Sequence, residues 1–144
     1  MSQILEPEQI ILNGKATTPA EAIDESGRLL VAAGAVTDDY LGYMHDREAS
    51  VSTYMGNFLA IPHGSNEGKE TILDSALSFV RYETPIDWKG NPVRFAVGIA
   101  GKEGGHLEIL SKIALVFSDE DEVQKLIDAT SKDEIMAILG DVNE

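Results

Sequence analysis

The chain has 144 residues, of which 43% are apolar and 25% charged, so residues 1–144 are predicted to form one globular domain. Cysteine is absent, which excludes disulfides, iron–sulfur clusters, cysteine-ligated zinc and thiol nucleophiles. A net charge of −14 disfavours nucleic acid and anionic membranes as partners and favours a positively charged protein.

The C-terminal end of the chain is the most acidic part. Residues 119–144 hold nine acids and two lysines, a pattern typical of a solvated helical surface. The overall acidity is therefore a weak guide to the functional site.

No apolar run approaches the ~18 residues of a membrane span, and no signal peptide pattern opens the chain, so a cytoplasmic location is expected.

The first part of the chain carries one strand pattern and two helix patterns. Ile10-Ile11-Leu12 predicts a short strand. Thr18 is predicted to cap the first helix, with Glu21 completing a capping box. Thr37 is the predicted N-cap of the second helix, which places Arg47 near the end of that helix.

Strand patterns dominate the middle of the chain. Residues 58–61 are apolar and predict a buried strand that ends at Pro62, and residues 67–73 predict a short helix. Strands are predicted over 76–82 and 93–100. The link between them has no helical pattern, and a parallel crossover usually needs a helix, so these two strands are expected to be antiparallel neighbours.

Helix patterns dominate the last third of the chain. A buried helix is indicated by the apolar stripe of His106, Leu110, Ile113 and Phe117, and Ser118 and Ser131 are predicted to begin two more helices. Strands interleaved with helices predict an α/β fold, in which a mixed parallel and antiparallel sheet is flanked by helices on both faces.

Standard nucleotide and metal motifs are missing. The spacing from Gly64 to Gly68-Lys69 is wrong for a P-loop, and Glu70 stands where a P-loop has Ser or Thr. No GxGxxG, HExxH, EF-hand or GxSxG pattern occurs. The three histidines also match no metal-ligand spacing, so no metal or other cofactor is expected.

Among the histidines, His63 is the first candidate for chemistry. It follows the predicted buried strand and Pro62 and precedes Gly64, and ligands of α/β sheets bind beyond the carboxyl ends of strands. His45 lies within the second helix and is expected at the surface. An ordinary loop position for His63 remains open on these grounds.

His106 is the second candidate. It follows Gly104-Gly105 at a predicted helix start, where N–H groups and the helix dipole favour an anion. Packing at the helix start is the alternative. Two neutral histidines without a nucleotide loop suggest a phosphoryl carrier, and Arg47 is the nearest cation in sequence that could hold phosphoryl oxygens.

Two segments resemble the enzyme IIA domains of the bacterial phosphotransferase system, in its mannitol/fructose branch. The first joins Arg47 to the run Met-Gly-Asn-Phe-Leu-Ala-Ile-Pro-His-Gly that ends at Gly64, and the second runs from Val97 to His106-Leu107. The similarity extends over nearly the whole chain. Within the branch, Ile86-Asp87-Trp88 looks most like the free-standing mannitol IIA proteins of Gram-positive bacteria.

The resemblance implies a role for each of these positions. His63 would take a phosphoryl group from the phosphocarrier protein HPr and give it to the cysteine of a mannitol IIB domain, which belongs to an IICB permease. Arg47 would hold the phosphoryl oxygens. His106 would lie beside His63 and donate a hydrogen bond to its ring or to the phosphoryl group. The mixed sheet flanked by helices is also the fold that the family implies.

Two other functions remain open. One is a fructose-type or nitrogen-regulatory IIA paralogue, whose phosphorylation state controls binding to other proteins. The other is a hydrolase with His63 as general base, although the chain lacks a nucleophile elbow and a recognisable metal set.

Overall fold

The computed structural model describes residues 4–102 and 105–143, with the backbone alone of His106. The helices are α1 (Pro19–Ala32), α2 (Tyr40–Ser50), α3 (Gly105–Phe117), α4 (Glu120–Asp128) and α5 (Lys132–Leu139). The strands are β1 (Ile10–Ile11), β2 (Tyr54–Gly56), β3 (Leu59–Ala60), β4 (Ala76–Leu77), β5 (Phe79–Trp88), β6 (Asn91–Ala96) and β7 (Ile99–Ala100).

The main sheet has five strands in the order β1-β5-β6-β3-β2. β5 is antiparallel to β6, whereas β1 is parallel to β5 and β3 is parallel to β6. β4 and β7 form a separate antiparallel ribbon. The expected mixed sheet is therefore confirmed, and so is the antiparallel pairing of the two longest predicted strands.

The two faces of the sheet are covered by different helices. Successive strand residues point to opposite faces, so Phe79 and Phe95 join a core with α3, α4 and α5, while Val80 and Ala96 join a second core with α1 and α2. The prediction of helices on both faces is confirmed. The alternation also explains why Phe79-Val80 and Phe95-Ala96 are apolar at successive positions, since each pair faces both cores.

The hairpin of β5 and β6 is longer than the sequence pattern indicates. Lys89 and Gly90 have φ values of 54° and 92° and form the two-residue turn, so Pro85 and Pro92 lie inside strands rather than in a link. The register shifts between Arg81 and Ile86, which accommodates Pro85 because proline cannot donate to the ladder.

The predicted strand over 93–100 is divided in the structure. β6 ends at Ala96, and β7 begins at Ile99 and turns to pair with β4. Gly98 lies in the break, where a Cβ atom would come within 3.2 Å of the Ser26 Cβ atom. The close packing of helix α1 on this point requires glycine.

Two helix caps are confirmed. The Thr18 hydroxyl accepts from the Glu21 N–H at 3.2 Å, and the Ser131 hydroxyl accepts from the Glu134 N–H at 3.2 Å. The helix predicted over residues 67–73 is a 3-10 helix, Asn66–Thr71.

Two other predicted caps are wrong. α2 begins at Tyr40 with Asp39 at the N-cap position, because residues 37–40 form a separate turn before the helix, in which the Tyr40 N–H donates to the Thr37 carbonyl at 3.0 Å. α4 is capped by Asp119, whereas the Ser118 hydroxyl donates back to the Leu115 carbonyl at the end of α3.

Within residues 4–102 and 105–143, every helix is too short or too polar to span a lipid bilayer.

Candidate functional site

The chain leaves β3 at one side of a cleft of about 1050 Å³. Both the strand exit and the C-terminal half of α2 contribute to its wall. The residues that line it include Tyr40, Arg47, His63, Gly64, Lys69 and Lys102. Two residues singled out from the sequence, Arg47 and His63, are therefore brought together from segments 16 positions apart.

His63 lies just beyond the carboxyl end of β3, where the predicted position placed it. The Pro62 carbonyl accepts from the Ile99 N–H at 2.9 Å, and His63 forms an isolated parallel bridge with Ile99. The histidine is half-buried. Its backbone is thus held by the sheet while its ring faces the cleft.

The ring of His63 is oriented by the carbonyl of Ile61. His63 Nδ1 lies 2.7 Å from that oxygen, which can only accept a hydrogen bond. We therefore assign the proton to Nδ1, as the donor. In the neutral ring this tautomer leaves the lone pair on Nε2, the nucleophilic nitrogen.

Tyr40 holds the two chain segments that meet at His63. Its hydroxyl accepts from the Gly64 N–H at 2.8 Å and donates to the Ile99 carbonyl at 2.7 Å. Burial raises the pKa of Tyr40 to about 12, and the Gly64 N–H opposes part of that rise by stabilising the phenolate. The phenol is therefore neutral at physiological pH and can keep both hydrogen bonds.

The sequence motifs give Tyr40 no role in the site. A buried tyrosine usually has a hydrogen-bond partner for its hydroxyl, and this general rule is the one signal that could have indicated such a contact. The partners lie 24 and 59 residues away, and no local pattern points to them.

Arg47 lies in the last turn of α2, as predicted. Its Nη1 atom donates to the Val51 carbonyl at 2.6 Å, and the side chain is half-buried. That contact occupies part of the guanidinium fork, which has five N–H donors. The remaining donors suit the oxygens of a phosphoryl group.

Lys69 and Lys102 add positive charge to the cleft wall, and sequence reasoning assigned no role to either. The Lys102 ammonium donates to the Leu73 carbonyl at 3.1 Å, which ties two loops of the cleft together. Glu67 and Glu70 also line the cleft. Among the described residues, the lining therefore carries three cations and two carboxylates, a small local excess of positive charge in a chain with a net charge of −14.

The predicted role of His106 depends on its side chain, which is not among those that the structure describes. Its backbone lies at the second position of α3, as expected, and Gly104 is not among the described residues. The prediction for the His106 side chain therefore stays a prediction.

His45 is not among the residues that line the cleft. Its Nε2 atom lies 2.7 Å from Asp24 Oδ1, which joins α2 to α1, and its side chain is 36% exposed. The surface position expected for His45 is therefore only partly right, since one side of the ring is used in a contact between helices.

The arrangement is suited to hold a doubly charged anion beside a nucleophilic nitrogen. Arg47 offers paired donors, the two lysines offer point charges, and His63 Nε2 carries a lone pair. Among the described residues, no group of three or more histidine or carboxylate side chains could hold a metal ion.

Comparisons with known proteins identify similar chains that are named as phosphotransferase system components. The chain is 48% identical over 145 residues to the "Mannitol-specific phosphotransferase enzyme IIA component" of Halalkalibacterium halodurans, which covers 100% of both proteins. Its structure resembles IIA in the solved complex of enzyme IIAMTL and phosphorylated enzyme IIBMTL from Escherichia coli, with a TM-score of 0.90, 31% identity and coverage of 95% and 97%.

A further structural relative has a regulatory name. The nitrogen regulatory protein IIA-Ntr from Neisseria meningitidis matches with a TM-score of 0.81 and 30% identity, over 94% of this chain and 96% of that one.

The family "Phosphoenolpyruvate-dependent sugar phosphotransferase system, EIIA 2" matches residues 3–142. The resemblance inferred from the sequence motifs is thereby confirmed, and the chain belongs to this family of phosphotransferase system components.

Proposed function

We propose that this chain carries a phosphoryl group on His63 Nε2, between phospho-HPr and the cysteine of a mannitol IIB domain. The observation that supports it most directly is the contact of His63 Nδ1 with the Ile61 carbonyl at 2.7 Å. That contact directs the lone pair to Nε2 in a cleft that also contains Arg47.

Each transfer exchanges one bond to phosphorus for another. In the first, the nitrogen–phosphorus bond of the donor breaks as the bond from His63 Nε2 to phosphorus forms, and the electron pair returns to the donor nitrogen. In the second, a cysteine thiolate attacks phosphorus and the pair returns to Nε2. The Nδ1 proton stays on the ring throughout, held by the Ile61 carbonyl.

The chain's own residues supply alignment and charge. Arg47 holds the phosphoryl oxygens through its fork of donors, and His106 donates a hydrogen bond to the His63 ring or to the phosphoryl group. Positioning and electrostatic stabilisation are the main requirements of phosphoryl transfer. The phosphoryl group arrives on an activated nitrogen, so the transfer needs neither a metal ion nor a nucleotide.

The sugar is proposed to be mannitol. The support is the name of the relative at 48% identity and the IIB partner in the Escherichia coli complex. The likeness to IIA-Ntr, at 30% identity, favours a regulatory binding module as the second candidate. Both candidates carry phosphate on His63, so the acceptor distinguishes them.

The test starts from purified phospho-HPr carrying labelled phosphate. One acid-labile, base-stable phosphate should be added to the wild type and none to His63→Ala, with Nε2 as the modified nitrogen by NMR. His45→Ala is the matched control, because it removes a histidine that does not line the cleft, and it should accept the label normally. Stoichiometric labelling of His63→Ala would refute the assignment.

The acceptor is tested by offering mannitol and fructose IIB proteins separately. Fast transfer to the mannitol protein, unchanged by EDTA, is the expected result. Transfer to neither IIB would favour the regulatory alternative, and rapid release of inorganic phosphate would favour a hydrolase. Loss of transfer on chelation would indicate a metal site.

A further inference from the structure

The carboxylate of Glu48 is buried beside the cleft and is not part of the proposed transfer chemistry. Across residues 4–102 and 105–143 it is the one carboxylate side chain in the buried interior, with Glu48 only 7% exposed. It accepts from the Thr53 N–H at 3.2 Å, from the Thr53 hydroxyl, and from the Trp88 indole N–H at 3.0 Å. Burying a charge is costly unless it is paired and hydrogen-bonded, and this one is both, because the Lys89 ammonium also lies 3.9 Å from Glu48 Oε2.

These contacts attach the segment 51–53, which follows α2, to the core. Trp88 is fully buried at the end of β5, so the carboxylate joins the segment to a rigid part of the sheet. The Val51 carbonyl in this segment accepts from Arg47 Nη1 at 2.6 Å. The position of the Arg47 guanidinium therefore depends on a segment that Glu48 holds.

The same segment leads to His63 by a second route. The Thr53 carbonyl accepts from the Ile61 N–H at 3.0 Å. The Ile61 carbonyl in turn accepts from His63 Nδ1 at 2.7 Å. Three consecutive contacts thus join the Glu48 carboxylate to the ring that is proposed to carry the phosphoryl group.

We infer that Glu48 is a positioning residue of the transfer site. Through the segment 51–53, Glu48 keeps the Arg47 guanidinium and the His63 ring correctly placed relative to each other. This inference rests on the proposed function. A purely structural role, in which Glu48 only secures the end of α2, is the alternative. The two differ in what happens to transfer when the carboxylate is made neutral.

Glu48→Gln is the direct test, because glutamine keeps the shape but cannot accept from all three donors at once. Misplacing reacting groups by about 1 Å can cost about 100-fold in rate, so we expect transfer from phospho-HPr to slow about 10- to 100-fold. The KM for phospho-HPr should stay unchanged, since Glu48 is buried.

Glu25→Gln is the matched control. The Glu25 carboxylate likewise accepts from three donors, which here are the Lys15 and Ala16 N–H groups and the Tyr82 hydroxyl. It does not line the cleft. This variant should lose stability in the same way as Glu48→Gln and keep the wild-type rate of transfer.

A double-mutant cycle asks whether Glu48 acts through Arg47. The rate losses of Glu48→Gln and Arg47→Ala should combine to less than their product, because the second change affects an already misplaced group. A strictly multiplicative loss would show that Glu48 does not act through Arg47 and would overturn the inference.

Nitrogen NMR of the His63 ring gives a readout that needs no transfer. Glu48→Gln should shift the His63 ring nitrogens and populate the other tautomer, whereas Glu25→Gln should not. If the wild type accepts no phosphate, the proposed function fails while this measurement still decides the role of Glu48. If Glu48→Gln does not fold, Thr53→Val removes only the hydroxyl donor and serves for every readout. Wild-type rates and ring signals in a folded variant of either kind would overturn the inference.

Discussion

The Tyr40 hydroxyl accepts a hydrogen bond at 2.8 Å from the backbone N–H of Gly64, the residue directly after His63. The same hydroxyl donates to the Ile99 carbonyl at 2.7 Å, and Ile99 is the residue that bridges to His63. One phenol therefore ties together the backbone on both sides of the proposed phosphoryl site.

Tyr40→Phe should slow transfer to His63 while leaving the ring packing intact. The Gly64 N–H and the Ile99 carbonyl lose their partner, which should also lower the free energy of unfolding by about 1–3 kcal/mol. Tyr82→Phe is the control, since the Tyr82 hydroxyl is bonded to Glu25, away from the cleft. Equal transfer rates in the two variants would contradict a positioning role for Tyr40.

Alkaline pH should destabilise the wild type more than it destabilises the Tyr40→Phe variant. Burial raises the pKa of Tyr40 to about 12, above the ordinary value of about 10. The stabilisation from the neutral phenol is fully present below about pH 10, and it is lost as the pH rises through about 12. Urea midpoints measured from pH 8 upward should fall less steeply in Tyr40→Phe, and parallel curves would argue against the raised pKa.

Gly64→Ala should disrupt the site through a steric clash. A Cβ atom at this position would overlap the Tyr40 ring, so we expect a loss of about 1–3 kcal/mol in stability together with slower transfer. Gly42→Ala in α2 is the control, because no atom beyond the adjoining residues and the nearby backbone of its own helix lies within 4 Å of its Cβ position. That change should instead stabilise the protein by about 0.5–1 kcal/mol. Thermal melts and transfer rates of both variants check the contrast.

Arg47→Lys should slow transfer far more than it affects folding. The charge remains but the planar fork is lost, and losing one oriented donor costs on the order of 100-fold in rate. Arg28→Lys changes an exposed arginine of α1 in the same way and should have no effect on transfer. A large fall in melting temperature with a normal transfer rate would assign Arg47 to folding instead.

His106→Ala should still be phosphorylated on His63, with transfer reduced in at least one direction. The loss of the proposed hydrogen-bond donor predicts a decrease on the order of 10²–10³-fold in the transfer rate. Forward and reverse rates from phospho-HPr provide the measurement. Unchanged rates with a lowered melting temperature would mean that His106 only packs at the start of α3.

The sequence by itself determined the features that depend on near neighbours. The Thr18 and Ser131 caps, the buried stripe of α3 and the short buried strand before Pro62 each follow from residues a few positions apart. Motif spacing also pointed to the family, which the comparisons confirm over residues 3–142. Features of this kind can be predicted from the sequence because capping, turns and periodicity depend on residues within one or two turns of the chain.

Only the tertiary structure decided how the site is held. The Tyr40 hydroxyl finds partners 24 and 59 residues away, and the Glu48 carboxylate reaches Trp88 across 40 residues. The tautomer of His63 likewise depends on a carbonyl whose direction is set by the sheet. Such contacts have no periodicity in the chain, because they arise only when packing excludes water from polar groups and each must then find the partner that the fold places nearby.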